Sequence, residues 1–265
     1  MRKLLITAAM GLTLGFTSGA HAAGAAVELI KQDWSWQGMF GKFNRDDVKK
    51  GGRIFFETCN GCHGADMMSY RNLIDIGWTE EEAKELAAGY EVEDGPDDEG
   101  EMFMRPARLS DRFVAPFPNE KAAVAANGAF PPDLSVMTKA RKGGPDYVYS
   151  LLVGYHEEAP EGSSIPEGLN YNDYFPGHAI AMAQPLFGEA IEFEDGTSST
   201  LEQEAKYITT FLAWAAEPEL EERKSMGIKV LLYLIILTGM LFALKKRIWA
   251  RLCLDESSYD PETNK

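Results

Sequence analysis

Fifteen consecutive residues without a charge, 230–244 (VLLYLIILTGMLFAL), constrain this chain more than any other feature. Extended back through Met226, Gly227, Ile228 and Lys229, the stretch reaches the roughly 20 residues that cross a bilayer core as a helix. Lys229 stands near enough to one end to snorkel its ammonium to the interface. Lys245, Lys246, Arg247 and Arg251 follow with no acid among them, and Trp249 falls at headgroup depth. By the positive-inside rule that side is cytoplasmic. A buried helix of a soluble protein seldom ends in such a basic cluster. The expected transmembrane helix is 225–244 and the cytoplasmic tail 245–265.

The other end reads as an export signal. Arg2 and Lys3 precede an apolar, small-residue stretch at 4–16, and Ala20-His21-Ala22 is an A-x-A cleavage site. An uncleaved anchor helix is the alternative. Residues 1–22 are assigned to the signal peptide, which leaves 23–224 as an exported, periplasmic domain held to the inner (cytoplasmic) membrane by one span. The charge follows this division. The whole chain carries −15, but residues 23–224 hold 18 Lys/Arg and 37 Asp/Glu, a net −19. Such acidity excludes nucleic-acid binding, which needs a basic face for phosphate.

Three cysteines are too few for a disulfide scaffold or a four-thiolate zinc site. Two of them stand in Cys59-Asn60-Gly61-Cys62-His63, the C-x-x-C-H attachment sequence of c-type haem. Two thiols three positions apart can bond the two vinyl groups on one edge of a porphyrin, and the adjacent histidine is then held beneath the iron. A thioredoxin-like pair would want a βαβ context, whereas Gly51-Gly52-Arg53-Ile54-Phe55-Phe56 before the motif reads as an amphipathic helix. A zinc site would need His156 or His178 at an unusual spacing, and a structural disulfide leaves His63 unexplained. One motif implies one covalent haem c. Cys253, beyond the span, reads as a reduced cytoplasmic thiol.

A second axial ligand serves electron transfer, whereas an open position serves gas or substrate chemistry. The exported histidines are His156 and His178, and the methionines are Met39, Met67, Met68, Met102, Met104, Met137 and Met182. Met67 and Met68 follow His63 too closely to reach the opposite haem face. Met182 lies in PGHAIAMAQP (176–185), where small residues and flanking prolines allow a rigid loop to approach a porphyrin. A core methionine at 182, or His178 as ligand, remains an alternative on pattern alone. Methionine would raise the reduction potential and a second histidine lower it.

The rest reads as helices and loops without a strong alternating strand. Residues 80–101 hold eleven Asp/Glu and one basic residue, Lys84. Thr79 and Glu82 form a capping box for a helix over 79–88, followed by a loop over 91–100. The run is either a solvated face or a docking surface for a basic partner. Residues 146–155 and 199–217 are further helices, the second capped by Ser199 with Glu202 and expected to pack on the helix at 51–59. Arg105 is a candidate partner for a haem propionate or, equally, a solvent-facing arginine.

These residues resemble the cytochrome c1 family, the membrane-anchored haem subunit of ubiquinol–cytochrome c oxidoreductase (the bc1 complex). The likeness rests on WSWQG (34–38), the C-x-x-C-H motif, MMSYR (67–71), RPARLSD (105–111) and ANGAFPPDLS (126–135). It continues through 147–155, 170–173, FPG (175–177), IAMAQP (180–185) and the C-terminal anchor. The resemblance implies an all-α cytochrome-c-type haem domain with long loop insertions and one C-terminal transmembrane helix. It implies that Cys59 and Cys62 bond the haem, with His63 and Met182 as axial ligands of the metal. Arg105, Asn127, Pro132, Tyr155 and Ile180 would line the haem pocket. The implied partners are cytochrome b, a mobile Rieske iron–sulfur protein as electron donor and a soluble basic cytochrome c as acceptor, in a dimeric complex. The chain would thus be an electron carrier rather than the quinol-oxidising subunit itself. The alternatives are a free-standing anchored cytochrome feeding a terminal oxidase and a haem gas-sensing module. An extra cysteine pair, which some bacterial members place between the haem motif and the methionine loop, is lacking, so pocket rigidity must come from packing.

Overall fold

A computed structural model describes residues 27–256 apart from 162, 164, 189–195, 197 and 198, with side chains described up to Ala250. The expected signal peptide, the side chain of Cys253 and the end of the tail lie outside the described residues.

Helices are the main regular structure of the described residues. Helix α1 (Arg45–Glu57) starts where the Asn44 side chain accepts a hydrogen bond from the amide of Asp46, and Asp46 and Asp47 place negative charge at its positive end. Val48, Gly51, Gly52, Ile54 and Phe55 form its buried stripe. That stripe meets helix α6 (Leu201–Ala216), and this pair forms the centre of the fold. Gly51 explains how closely the two approach: a Cβ there would lie 2.1 Å from the Tyr207 carbonyl oxygen and 2.7 Å from Phe211 Cβ. Phe55, Phe56, Tyr70, Phe113, Phe211 and Trp214 continue the contact as an aromatic core.

Helix α6 begins one residue later than its expected cap. Thr200 accepts from the Gln203 amide while Gln203 returns to the Thr200 amide. Ser199 instead turns inward and donates to Glu204 Oε1 at 2.9 Å. Glu204 is fully buried, so a hydroxyl beside its carboxylate is worth more inside than at a solvated helix end. Helices α4 (Met137–Ala140) and α5 (Pro145–Val153) pack on the same helix α6. Helix α2 (Glu80–Ala88) carries the expected capping box, with Thr79 accepting from the Glu82 amide and the Glu82 carboxylate accepting from the Thr79 amide. Helix α3 (Glu120–Asn127) ends on Gly128 in the left-handed region.

Two short antiparallel ribbons accompany the helices. Strand β1 (Glu91–Asp94) pairs with β2 (Phe103–Pro106), Glu91 opposite Pro106 and Asp94 opposite Phe103. The first four residues of the stretch expected as loop are therefore strand. Glu91 and Glu93 are exposed while Val92 and Asp94 are half-buried, an alternation too brief to stand out from an acidic run. Strand β3 (Asn170–Tyr171) pairs with β4 (Ala179–Ile180).

Helix α7 (Leu220–Glu256) follows α6 after three residues and runs for 37 residues, about 55 Å. Its stretch Leu220–Ala250 is long and apolar enough to cross a bilayer, and none of its most apolar window is covered by the rest of the chain. It starts before the expected span because its first turn belongs to the haem domain. Leu220 is buried, and Glu221 accepts from the Phe43 amide and pairs with Arg45.

Candidate haem site

The C-x-x-C-H motif leaves the end of α1 as a tight 3₁₀ turn, Cys59–Gly61, in which the amides of Cys62 and His63 both donate to the Cys59 carbonyl. The turn holds Cys59 partly against the core and leaves Cys62 exposed. Burial pushes the Cys59 thiol up to about 12, so this sulfur is protonated at neutral pH until it forms a bond. His63 is fixed from 69 residues away: its Nδ1 lies 2.7 Å from the Pro132 carbonyl oxygen. A carbonyl only accepts, so Nδ1 carries the proton and Nε2 keeps its lone pair. Burial also lowers the His63 pKa, opposed by the Pro132 bond and the Asp133 charge, which favours the neutral ring that a metal needs. The Gly64 carbonyl accepts from the Leu134 amide at 2.8 Å, tying the motif to the segment that carries Pro132. Asn127, at the end of α3, lies with Oδ1 3.5 Å from the Cys62 sulfur.

A second cluster surrounds Met182. Its carbonyl accepts from the Tyr155 hydroxyl at 3.1 Å and from Asn170 Nδ2 at 3.3 Å. Burial, reinforced by Tyr147, raises the Tyr155 pKa and keeps that hydroxyl a donor. Ile180 is buried in β4 opposite Asn170, two residues before Met182. The fully buried Asn172 holds the preceding turn. It donates to the Leu151 carbonyl, accepts from the amides of Tyr174 and Phe175, and its own amide donates to the His178 carbonyl. His178 adopts φ 60°, stacks on Tyr171 at 5.7 Å and turns Nδ1 toward the Asn172 carbonyl. His156 pairs with Asp173 at 2.6 Å. Both histidines are thus engaged in shaping the loop. Met68 is core, and Met67, Met102 and Met104 are exposed.

Arg105 sits in a third place. Its Nη1 and Nη2 bind the Asp111 carboxylate at 2.6 and 3.2 Å, and its Nε donates to Asp94 across the β1–β2 ribbon. Hydrogen bonds from Arg105 hold both carboxyls below the usual range. The stability of this clamp is present above the unfolded carboxylate pKa and is lost as pH falls through the lower folded values. Arg105→Leu is therefore expected to cost more stability in urea titrations at pH 7 than at pH 3. Equal losses would mean that charge pairing contributes nothing.

This donor set fits a c-type haem: two thiols free to form thioethers, a histidine locked in the tautomer that leaves Nε2 open, and a methionine on a pinned loop. Asn170, Asn172, Asp94 and Asp111 were not singled out from sequence. Three of them lie in the quoted stretches 170–173 and 105–111, but their partners have no local sequence signature.

The sequence profile of the Cytochrome C1 family matches residues 34–252. The chain belongs to the cytochrome c1 family. It is 47% identical over 265 residues to cytochrome c1 of Rhodospirillum rubrum, covering 94% of this chain and 97% of that one. It is 45% identical over 230 residues to the cytochrome b-c1 complex catalytic subunit, mitochondrial, of Candida albicans, covering 86% and 80%. It is 42% identical over 269 residues to the cytochrome b/c1 of Bradyrhizobium diazoefficiens, covering 93% of this chain and 39% of that longer protein. Membership of this family makes the chain a haem-carrying electron-transfer subunit of a bc1 complex. Among the described residues one helix is long and apolar enough to span a bilayer, which fits a single-pass anchor.

Proposed function

We propose that this chain carries one covalent haem c through Cys59 and Cys62, with His63 Nε2 and the Met182 sulfur as axial ligands. When bound, the haem supplies a one-electron ferric/ferrous couple. Pro132 orients the His63 ring and raises its basicity through the Nδ1 hydrogen bond. Tyr155 and Asn170 hold the Met182 backbone, so the thioether is presented without reordering the loop. Asn127, Pro132, Tyr155 and Ile180 line the pocket. Arg105 lies near a propionate, its charge tempered by Asp94 and Asp111. A sixth position filled by Met182 suits outer-sphere electron transfer and disfavours gas sensing. The observation that carries this reading is the His63–Pro132 pairing, because it prepares the one nitrogen that the motif offers to iron.

The subunit accepts an electron from a Rieske iron–sulfur protein beside cytochrome b and passes it to a soluble basic cytochrome c, in a dimeric complex. The names of the relatives from Candida and Bradyrhizobium support the cytochrome b partnership. The basic cluster 245–251 supports a haem domain on the periplasmic side and a cytoplasmic tail. Mild solubilisation followed by affinity capture of this chain is expected to recover a b-type cytochrome and an iron–sulfur protein. Recovery of a haem-loaded chain alone would favour a free-standing anchored cytochrome.

The −19 of residues 23–224 predicts the acceptor reaction's salt dependence. Raising ionic strength should slow the second-order reaction with a basic cytochrome c, measured by rapid mixing. A rate indifferent to salt would exclude electrostatic docking.

A further inference from the structure

We propose that the loop 37–41 is a second, shallow membrane contact, inserted into the lipid headgroup region beside the point where α7 enters the bilayer. The loop carries two large apolar side chains at its tip, Met39 and Phe40, which are 62% and 77% exposed. Three features make it a rigid tip. The amide of Gln37 donates to the Trp34 carbonyl, and that of Lys42 to the Ser35 carbonyl, both at 3.0 Å. Gly38 takes φ +74°, and a Cβ on Gly41 would lie 1.9 Å from the Gln37 carbonyl oxygen. A chain that closes so tightly holds Met39 and Phe40 outward, where they cannot fold back onto the core formed by Trp34, Trp36 and Phe43.

The base of this loop is fastened to the first turn of the spanning helix. Lys224 Nζ donates to the carbonyls of Trp36 and Gly41, at 2.5 and 3.1 Å, and Glu221 accepts from the Phe43 amide. Met226, where the uncharged face of α7 opens, lies only two residues beyond Lys224, about 3 Å along the helix axis. Met39 and Phe40 are within three residues of the bound carbonyls, hence within about 10 Å of the Lys224 ammonium. The headgroup layer is roughly 5–8 Å thick on each side of the hydrocarbon core. The tip is thus tethered at interfacial depth, where Phe and Met gain from partial burial and the exposed Lys42 meets lipid phosphate. A lipid surface is favoured over a protein partner because the loop is fastened to the first turn of the helix that is long and apolar enough to span a bilayer.

The test is photocrosslinking of the haem-loaded full chain in nanodiscs of phosphatidylcholine with one-quarter phosphatidylglycerol, using a radiolabelled phospholipid. Benzoylphenylalanine replaces Phe40, Met226 as the lipid-facing reference, or Glu93 as the water-facing one. Glu93 lies in β1, which is joined to the far end of α1 by the Tyr90–Asn60 hydrogen bond, about 20 Å along that helix from Arg45. Position 40 is expected to give lipid adducts close to the Met226 yield and roughly tenfold above Glu93, as burial of the tip among headgroups requires. A lipid yield at the Glu93 level would overturn the proposal. In the intact complex, adducts at position 40 that go to a neighbouring protein chain in place of lipid would overturn it equally.

Discussion

Met182→Leu is expected to lower the haem midpoint potential by on the order of 0.2 V, a fraction of the range that axial ligation spans. Leucine has nearly the volume of methionine, so the site is little altered in size, while the sulfur that favours the reduced state is lost. For a one-electron couple each 59 mV is tenfold, so the equilibrium for accepting an electron worsens by about three orders of magnitude. Two milder variants separate ligation from support. Tyr155→Phe and Asn170→Ala each remove one hydrogen bond to the Met182 carbonyl and should cost about 1 kcal/mol in loop stability. Their potentials should stay near that of the parent. Redox titration of the three variants checks this, and an unchanged potential in Met182→Leu would refute the methionine assignment.

Gly51→Ala is expected to be strongly destabilising. Its new methyl would need to occupy space 2.1 Å from the Tyr207 carbonyl oxygen, and neither helix backbone can yield locally. Overpacking ordinarily costs about 1–3 kcal/mol, and a clash against backbone belongs at or above the top of that range. The neighbouring Gly52 is the control. A Cβ there meets the Phe211 ring at 3.4 Å and Ile76 Cδ1 at 3.7 Å, ordinary contacts, and alanine gains up to about 1 kcal/mol in helix propensity. Chemical denaturation followed by the haem absorbance should show Gly51→Ala strongly destabilised and Gly52→Ala near neutral. Similar stabilities for both would mean that α1 and α6 separate more readily than their packing implies.

Features written in one stretch of sequence were legible. The C-x-x-C-H turn, the Thr79–Glu82 capping box, the packing of the helix before the motif on the helix before the membrane, and the uncharged span all appear where pattern places them. Features made by distant partners were not. Nothing around residue 132 announces that its carbonyl holds His63, since a single acceptor has no periodicity. Asn172 carries no sequence sign of its burial or of the hydrogen bonds that hold the turn before Met182. Strands of two to four residues are too short to alternate visibly, which hid both ribbons. The α6 cap slipped by one residue because the buried Glu204 competes for Ser199. Gly51 and Gly52 look alike in sequence and differ only in what lies across the helix interface.

Electrons from quinol are proposed to reach a soluble cytochrome c through this chain's haem. The most direct measurement mixes quinol rapidly with membranes holding the intact complex and follows this haem's absorbance, with the iron–sulfur protein present and after its removal. Prompt reduction is expected in the first case, with reoxidation on adding a soluble cytochrome c, and no prompt reduction in the second. Reduction at an undiminished rate without the iron–sulfur protein would rule out this electron route.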